Sequence, residues 1–246
     1  MHLYMGSAGA GSLKFSARQI AFTGVLGAIT VVLGMTPQLG FIQLPGIAIT
    51  TMHIPTILAG IIEGPVLGGV VGAMFGLFSM WQAQNIGSPI EKVIFSNPVI
   101  AVLPRILIGI VAYYVFALVR GVKGRAVLAV VMAGLAGYTG YVLSASVAGA
   151  AAIRYLIGIV AGGLAVLIFS FLDKKFGHGP ALAAAAGSLT NTVLVLGLIV
   201  AFGHMPAEVA LGIGLANGLP EAAVAVILTS LVYKGTEGLI RGRKSE

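Results

Sequence analysis

The stretch Val99–Val119, VIAVLPRILIGIVAYYVFALV, decides what kind of fold this chain makes. It carries a single charge, Arg105, and it is closed by Arg120, Lys123 and Arg125. A hydrocarbon core about 30 Å thick takes about 20 apolar residues of helix, so the run reads as a membrane-spanning helix. Composition agrees. The 246 residues are 58% hydrophobic and 9% charged, with a mean hydropathy of +1.05, whereas a soluble domain carries roughly 25% charged residues. Fourteen Lys/Arg and seven Asp/Glu are too few to solvate a globule of this size. A soluble protein is excluded. The absence of Cys excludes a disulfide framework, thiolate metal sites and Cys nucleophiles.

On the N-terminal side of this span, apolar runs cover Ala17–Met35, His53–Ile62 and Pro65 to about Trp81. They are separated by a Gly/Pro/Thr-rich loop, Gln38–Thr51, and by the break Glu63-Gly64-Pro65. His53–Ile62 is too short to span alone, and Gln82–Pro98 reads as a polar stretch. On the C-terminal side, Ala126–Leu172 is apolar for about twice the spanning length. The small, polar patch Ser144–Gly149 divides it into two helices. Further spans cover Ala181–Phe202 and about Ala210–Tyr233. The expected fold class is all-α: a polytopic membrane helical bundle of about eight spans, in which a six-helix core accepts an inserted hairpin. Residues 1–16 form an N-terminal segment, 17–234 one transmembrane domain with the hairpin at 126–173, and 235–246 a basic tail.

With eight spans, Lys14/Arg18, Arg120/Lys123/Arg125, Lys174/Lys175 and the tail cations Lys234, Arg241, Arg243 and Lys244 all fall on one side. By the positive-inside rule that side is cytoplasmic, and both termini with it. The +7 net charge is thus a topology signal, not a nucleic-acid stripe.

The chain has 36 glycines. Helices in lipid associate through close packing of small residues, and Gly68, Gly72 and Gly76 place such a stripe on one face of the third helix. Ala17, Ala21, Gly24 and Ala28 form another on the first. That face serves packing within the chain or docking of another subunit.

Polar groups inside spans mark function by default, because an ionisable side chain at bilayer depth costs roughly 2.5–3.5 kcal/mol. Arg105, beside Pro104, is the first: it is placed either to hold a carboxylate or to pair with Glu221 in Asn217-Gly218-Leu219-Pro220-Glu221. Asn191 is either interhelical glue or a ligand contact. Trp81, Gln82, Gln84, Asn85, Asn97 and His53 converge on one level at the outer ends of their elements and suggest a polar mouth over an apolar pocket, and Asn217 is a further candidate contact. Four scattered histidines without spaced carboxylates argue against a metal site. No P-loop, H-E-x-x-H or Gly-x-Ser-x-Gly motif occurs, so no catalytic residues are assigned.

The order of segments resembles the substrate-binding S component of an energy-coupling factor (ECF) vitamin transporter, in the branch of pantothenate, folate and cobalamin binders. The residues that carry this are the small-residue helix Ala17–Ala28, a long loop, His53-Ile54-Pro55, Glu63-Gly64-Pro65-Val66-Leu67-Gly68, Leu103-Pro104-Arg105-Ile106-Leu107-Ile108-Gly109, Gly187-Ser188-Leu189-Thr190-Asn191-Thr192 and Asn217–Glu221. The resemblance covers Ala17–Arg120 and Pro180–Lys234; Ala126–Leu172 stands outside it. It implies a high-affinity vitamin binder in a prokaryotic plasma membrane, with no cofactor in this chain. A transmembrane coupling (T) protein would dock on Ala17, Ala21, Gly24 and Ala28, and two cytoplasmic ABC-type ATPases would consume the ATP. The loop after the first helix would close over substrate, with pantothenate the expected one and folate or cobalamin the alternatives. A stand-alone secondary transporter is the rival reading. It would want a midplane ion site and convincing repeats, and the residues support neither well.

Overall fold

The computed structural model describes residues 15–36, 40–44, 47–121, 133, 151–176 and 178–242. Most of the N-terminal segment, the Ser144–Gly149 division, Lys123, Arg125, Arg243 and Lys244 lie outside the described residues.

Helix α1 is Ala17–Met35, opened by a capping box in which Ser16 and Gln19 satisfy each other's backbone N–H. A two-stranded antiparallel hairpin follows, β1 (Phe41–Leu44) and β2 (Ile47–Thr50), with Phe41 opposite Thr50 and Leu44 opposite Ile47. Helices α2 (His53–Glu63) and α3 (Pro65–Ile86) meet at Gly64, whose φ of 105° suits only glycine, and Pro65 opens α3 where its missing N–H costs nothing. Short helices α4 (Pro89–Phe95) and α5 (Pro98–Ala101) lead into α6 (Leu103–Gly121). The remainder is α7 (Ala151–Phe176), α8 (His178–Ala201), α9 (Ala207–Ile213), a π-helical turn at Gly214–Gly218 and α10 (Leu219–Gly242).

Five segments of this bundle are long and apolar enough to cross a membrane: Ala17–Met35, Pro65–Ile86, Pro98–Val119, His178–Ala201 and Ala207–Thr236. Helix α2, with 11 residues, is too short to span. It is instead enclosed by α1, α3, α6, α8 and α10, which leaves His53 through Ile61 buried. The structure therefore supports a helical membrane bundle, and the eight-span count goes beyond the described residues. Helix α3 runs to Ile86, past the expected end at Trp81. Asn85 donates its amide to the Trp81 carbonyl, so the polar residues there sit on a helix and not in a loop.

Glycines set the closest approaches. A Cβ at Gly68 would lie 2.6 Å from Gly60 Cα, and one at Gly109 would lie 2.7 Å from Gly68 Cα. Real Cβ atoms essentially never come under 3.0 Å of another heavy atom, so α2, α3 and α6 touch backbone to backbone. Gly72 abuts the Arg105 carbonyl and Gly76 abuts Val102. The Gly68-Gly72-Gly76 stripe is packing surface within the chain. The stripe on α1 is different. Ala17, Ala21, Gly24 and Ala28 are all exposed, while Thr23, Leu26, Gly27, Thr30 and Gly34 form the buried face of that helix.

Candidate functional site

The site begins with Pro104. A proline has no N–H to give the carbonyl four residues earlier, and here that carbonyl belongs to Ile100. The helix is interrupted at Val102, between α5 and α6. The Arg105 guanidinium takes the vacant partner's place: Nη1 donates to Ile100 O at 2.8 Å. Its Cζ lies over the rings of Phe75 and Phe95, 5.6 and 5.3 Å from their centroids. Arg105 is 7% exposed and its Nε has no hydrogen-bond partner. A guanidinium has five N–H donors, so this one is fixed in position with donors to spare.

Arg105 lines a cavity of about 300 Å³ at the end of the bundle that carries the hairpin and α4. Helix α3 lines it with Phe75, Ser79, Gln82, Ala83 and Ile86, followed by Gly87. Thr50 and Met52 come from the hairpin and the start of α2, Glu91 and Phe95 from α4, and Asn191 from α8. Asn191 Oδ1 is buried with no hydrogen-bond partner. The wall therefore offers an unspent cation and an unspent acceptor. A buried polar group without a partner costs about 1–3 kcal/mol, a cost that a ligand carrying an anion and donors would relieve.

Two connections hold the cover in place. The Thr50 N–H donates to Glu221 Oε1 at 2.8 Å, which ties the hairpin to α10. Gln84 Nε2 donates to the Lys92 carbonyl at 2.9 Å, which ties α3 to α4. Gly40, at the foot of the hairpin, accepts from the Thr51 N–H at 2.9 Å. Glu221 is within electrostatic reach of Arg105, but the hydrogen bonds of the two go elsewhere, to Thr50 and Ile100.

Of the residues singled out in the sequence, the structure brings Gln82, Arg105 and Asn191 together on the wall, with Glu221 behind Thr50. The others stand apart from the wall. Trp81 is 52% exposed and tilts against Phe78. Gln84 and Asn85 are exposed and bonded to backbone carbonyls. Asn97 caps α5 by accepting from the Val99 N–H at 2.9 Å. His53 is 1% exposed and neither ring nitrogen has a partner. Asn217 lies in the π-helical turn before α10. Ser79, Glu91 and Phe95 are wall residues that the sequence did not bring forward. Ser79 lies two residues before Trp81 at the same end of α3, the one signal that pointed to it.

A helical bundle with membrane-crossing segments and a polar-lined hollow between its helices is the architecture of a membrane protein that binds a small solute. The family model described as "ECF transporter, substrate-specific component" matches residues 18–156. A protein of Lactococcus lactis subsp. cremoris named "Pantothenic acid transporter PanT" is 31% identical over 239 residues, 89% of this chain and 93% of that protein. "Pantothenate transporter PanT" of Leuconostoc mesenteroides is 32% identical over 88 residues, 34% of this chain, and that match spans 43% of the relative's length. The chain belongs to the family of ECF transporter substrate-specific components. It is a multi-pass membrane protein and a transporter component.

Proposed function

We propose that the chain is the membrane-embedded binding subunit for pantothenate uptake, capturing the vitamin at the outer end of the bundle. One observation carries this reading: Arg105, fixed by Ile100 and close to two phenyl rings, lines a small cavity and has an Nε without a partner. Pantothenate has one carboxylate, a central amide and two hydroxyls. The carboxylate suits the guanidinium fork. The amide and hydroxyls suit Asn191, Gln82 and Ser79, with Phe75, Met52 and Ile86 against the carbon skeleton. A hollow of about 300 Å³ is at the small end of ligand sites. A hollow of that size suits a ligand of about 15 non-hydrogen atoms better than folate or a corrin. The names of the two relatives support the same substrate.

The hairpin β1–β2 covers the site and slows release. Energy comes from a transmembrane coupling protein and two cytoplasmic ATPases, as the family resemblance implies, and the coupling protein seats on Ala17, Ala21, Gly24 and Ala28. Support for that seat is their exposure on α1, where a Cβ at Gly24 would meet nothing within 4 Å.

The test is calorimetric titration of the purified chain in nanodiscs. Pantothenate is expected to bind at one site per chain, with folate and cobalamin each at least a hundredfold weaker. Tighter binding of either alternative would replace pantothenate as substrate.

A further inference from the structure

The cavity wall is unusual in its charges. Among its described lining residues Arg105 is the single cation, and Glu91, an exposed residue of α4, is the single carboxylate. A second carboxylate, Glu221, stands behind Thr50 and within electrostatic reach of Arg105. Glu91 Oε2 is already committed, accepting from Ser88 N and Ser88 Oγ at 2.7 Å each. Glu221 Oε1 is committed to Thr50 N. Lys92 is exposed and off the wall. The one cation on the described wall therefore stands with one carboxylate on the wall and a second within electrostatic reach, and hydrogen-bonds to neither.

We infer that Glu221, assisted by Glu91, makes the site a reader of ligand charge, admitting a monocarboxylate and rejecting the same skeleton bearing a phosphate. This rests on the proposed function and deepens it. A monoanion brings one negative charge and finds Arg105. A phosphate monoester adds about −1.5 to −2 near neutral pH, and the described wall offers it no second cation. It meets Glu91 at the exposed rim and, beyond Thr50, Glu221 in part-buried surroundings, where like charges repel more strongly than in bulk water. Specificity of this kind comes from a repulsive element built beside the attractive one. The carboxylates can fill that role because each is held by hydrogen bonds and cannot swing away.

Isosteric amides separate the charge from the structural roles. Glu221→Gln keeps an oxygen to accept from Thr50 N, and Glu91→Gln keeps the capping box, which Gln serves as well as Glu. The probes are pantothenate and 4′-phosphopantothenate, titrated against the intact chain in nanodiscs with thermal midpoints recorded alongside. The wild-type chain is expected to favour pantothenate at least a hundredfold. Glu221→Gln is expected to narrow that ratio at least tenfold, through tighter binding of the phosphorylated probe, and Glu91→Gln is expected to narrow it less. Wild-type binding of both probes within tenfold would overturn the inference, whether or not a variant folds. So would a ratio unchanged in every folded amide variant. A wild-type chain that binds no pantothenate overturns the proposed function and this inference with it.

Discussion

Arg105→Ala is expected to weaken pantothenate binding about tenfold to a hundredfold, the range set by losing a charged hydrogen bond of about 1.5–3 kcal/mol. The loss should fall on binding and not on folding. Arg105 is a nearly buried cation whose Nε has no partner, and removing such a charge also removes its desolvation penalty. What the variant leaves behind is the Ile100 carbonyl without its donor and two phenyl rings without the guanidinium over them. The ligand-free thermal midpoint should therefore shift only by the balance of these opposing effects, the relieved desolvation of the cation against about 1–3 kcal/mol for the orphaned carbonyl. The rise in midpoint on adding pantothenate should shrink with the affinity, since a ligand at a hundred times its Kd stabilises by about 2.7 kcal/mol. Arg105→Lys keeps the charge and loses the planar fork, so it should fall between wild type and Ala. Unchanged affinity in a folded Arg105→Ala chain would remove the guanidinium from the site.

Gly109→Val is expected to remove the folded protein almost entirely. Gly109 sits where α6 meets α3, and a Cβ there would lie 2.5 Å from Gly68 C and O and 2.7 Å from Gly68 Cα. Those are backbone atoms in a helix, so no rotamer change relieves the clash. Gly60 faces the same point from α2, with the Gly109 carbonyl against it. Three helices would have to separate together. Overpacking typically costs about 1–3 kcal/mol when side chains can adjust; with backbone on the opposing side the cost should exceed that. Helix association in lipid depends on such close packing because no hydrophobic force replaces it. Gly109→Ala should lower the thermal midpoint measurably. Gly24→Ala, with open space around it, should leave the midpoint unmoved. A Gly109→Val chain as stable as wild type would show that α3 and α6 do not approach as described.

Much of this was legible in the chain because the membrane simplifies the reading. Apolar length marks a span, so Val99–Val119 and Ala17–Met35 fall within a few residues of the observed segments. The glycine spacing at 68, 72 and 76 is one face of a helix, and that face does meet α6. Arg105 stood out by depth alone, and its neighbour Pro104 hinted at a freed carbonyl. That Arg105 itself takes the Ile100 carbonyl depends on the break in the helix at Val102, which the string of residues does not reveal.

The polar residues beside Trp81 were harder, since local and ligand roles look alike in a string. Gln84 and Asn85 bond to nearby backbone and Asn97 caps α5, while their neighbours Ser79 and Gln82 face the cavity. Which side of α3 looks inward depends on how α1, α2 and α6 pack against it. Glu91 and Phe95 were passed over for the same reason. Their short helix reaches the site only because Ser88, Pro89 and Gln84 fold it back over α3. The hairpin was expected as loop. Its strands form where Gly40 and Thr51 pair at the base, a contact between residues that local propensity does not connect.

The central claim is that this polypeptide binds and that its motor lies on other chains. Reconstitution into vesicles with labelled pantothenate tests it directly. The purified chain alone should bind the label in a one-to-one ratio and accumulate none, with or without an imposed proton or sodium gradient. Adding the coupling protein and its ATPases should produce ATP-dependent accumulation, and Gly24→Leu should abolish that accumulation while leaving binding intact. Uphill uptake by the chain alone, driven by an ion gradient and indifferent to ATP, would contradict the account.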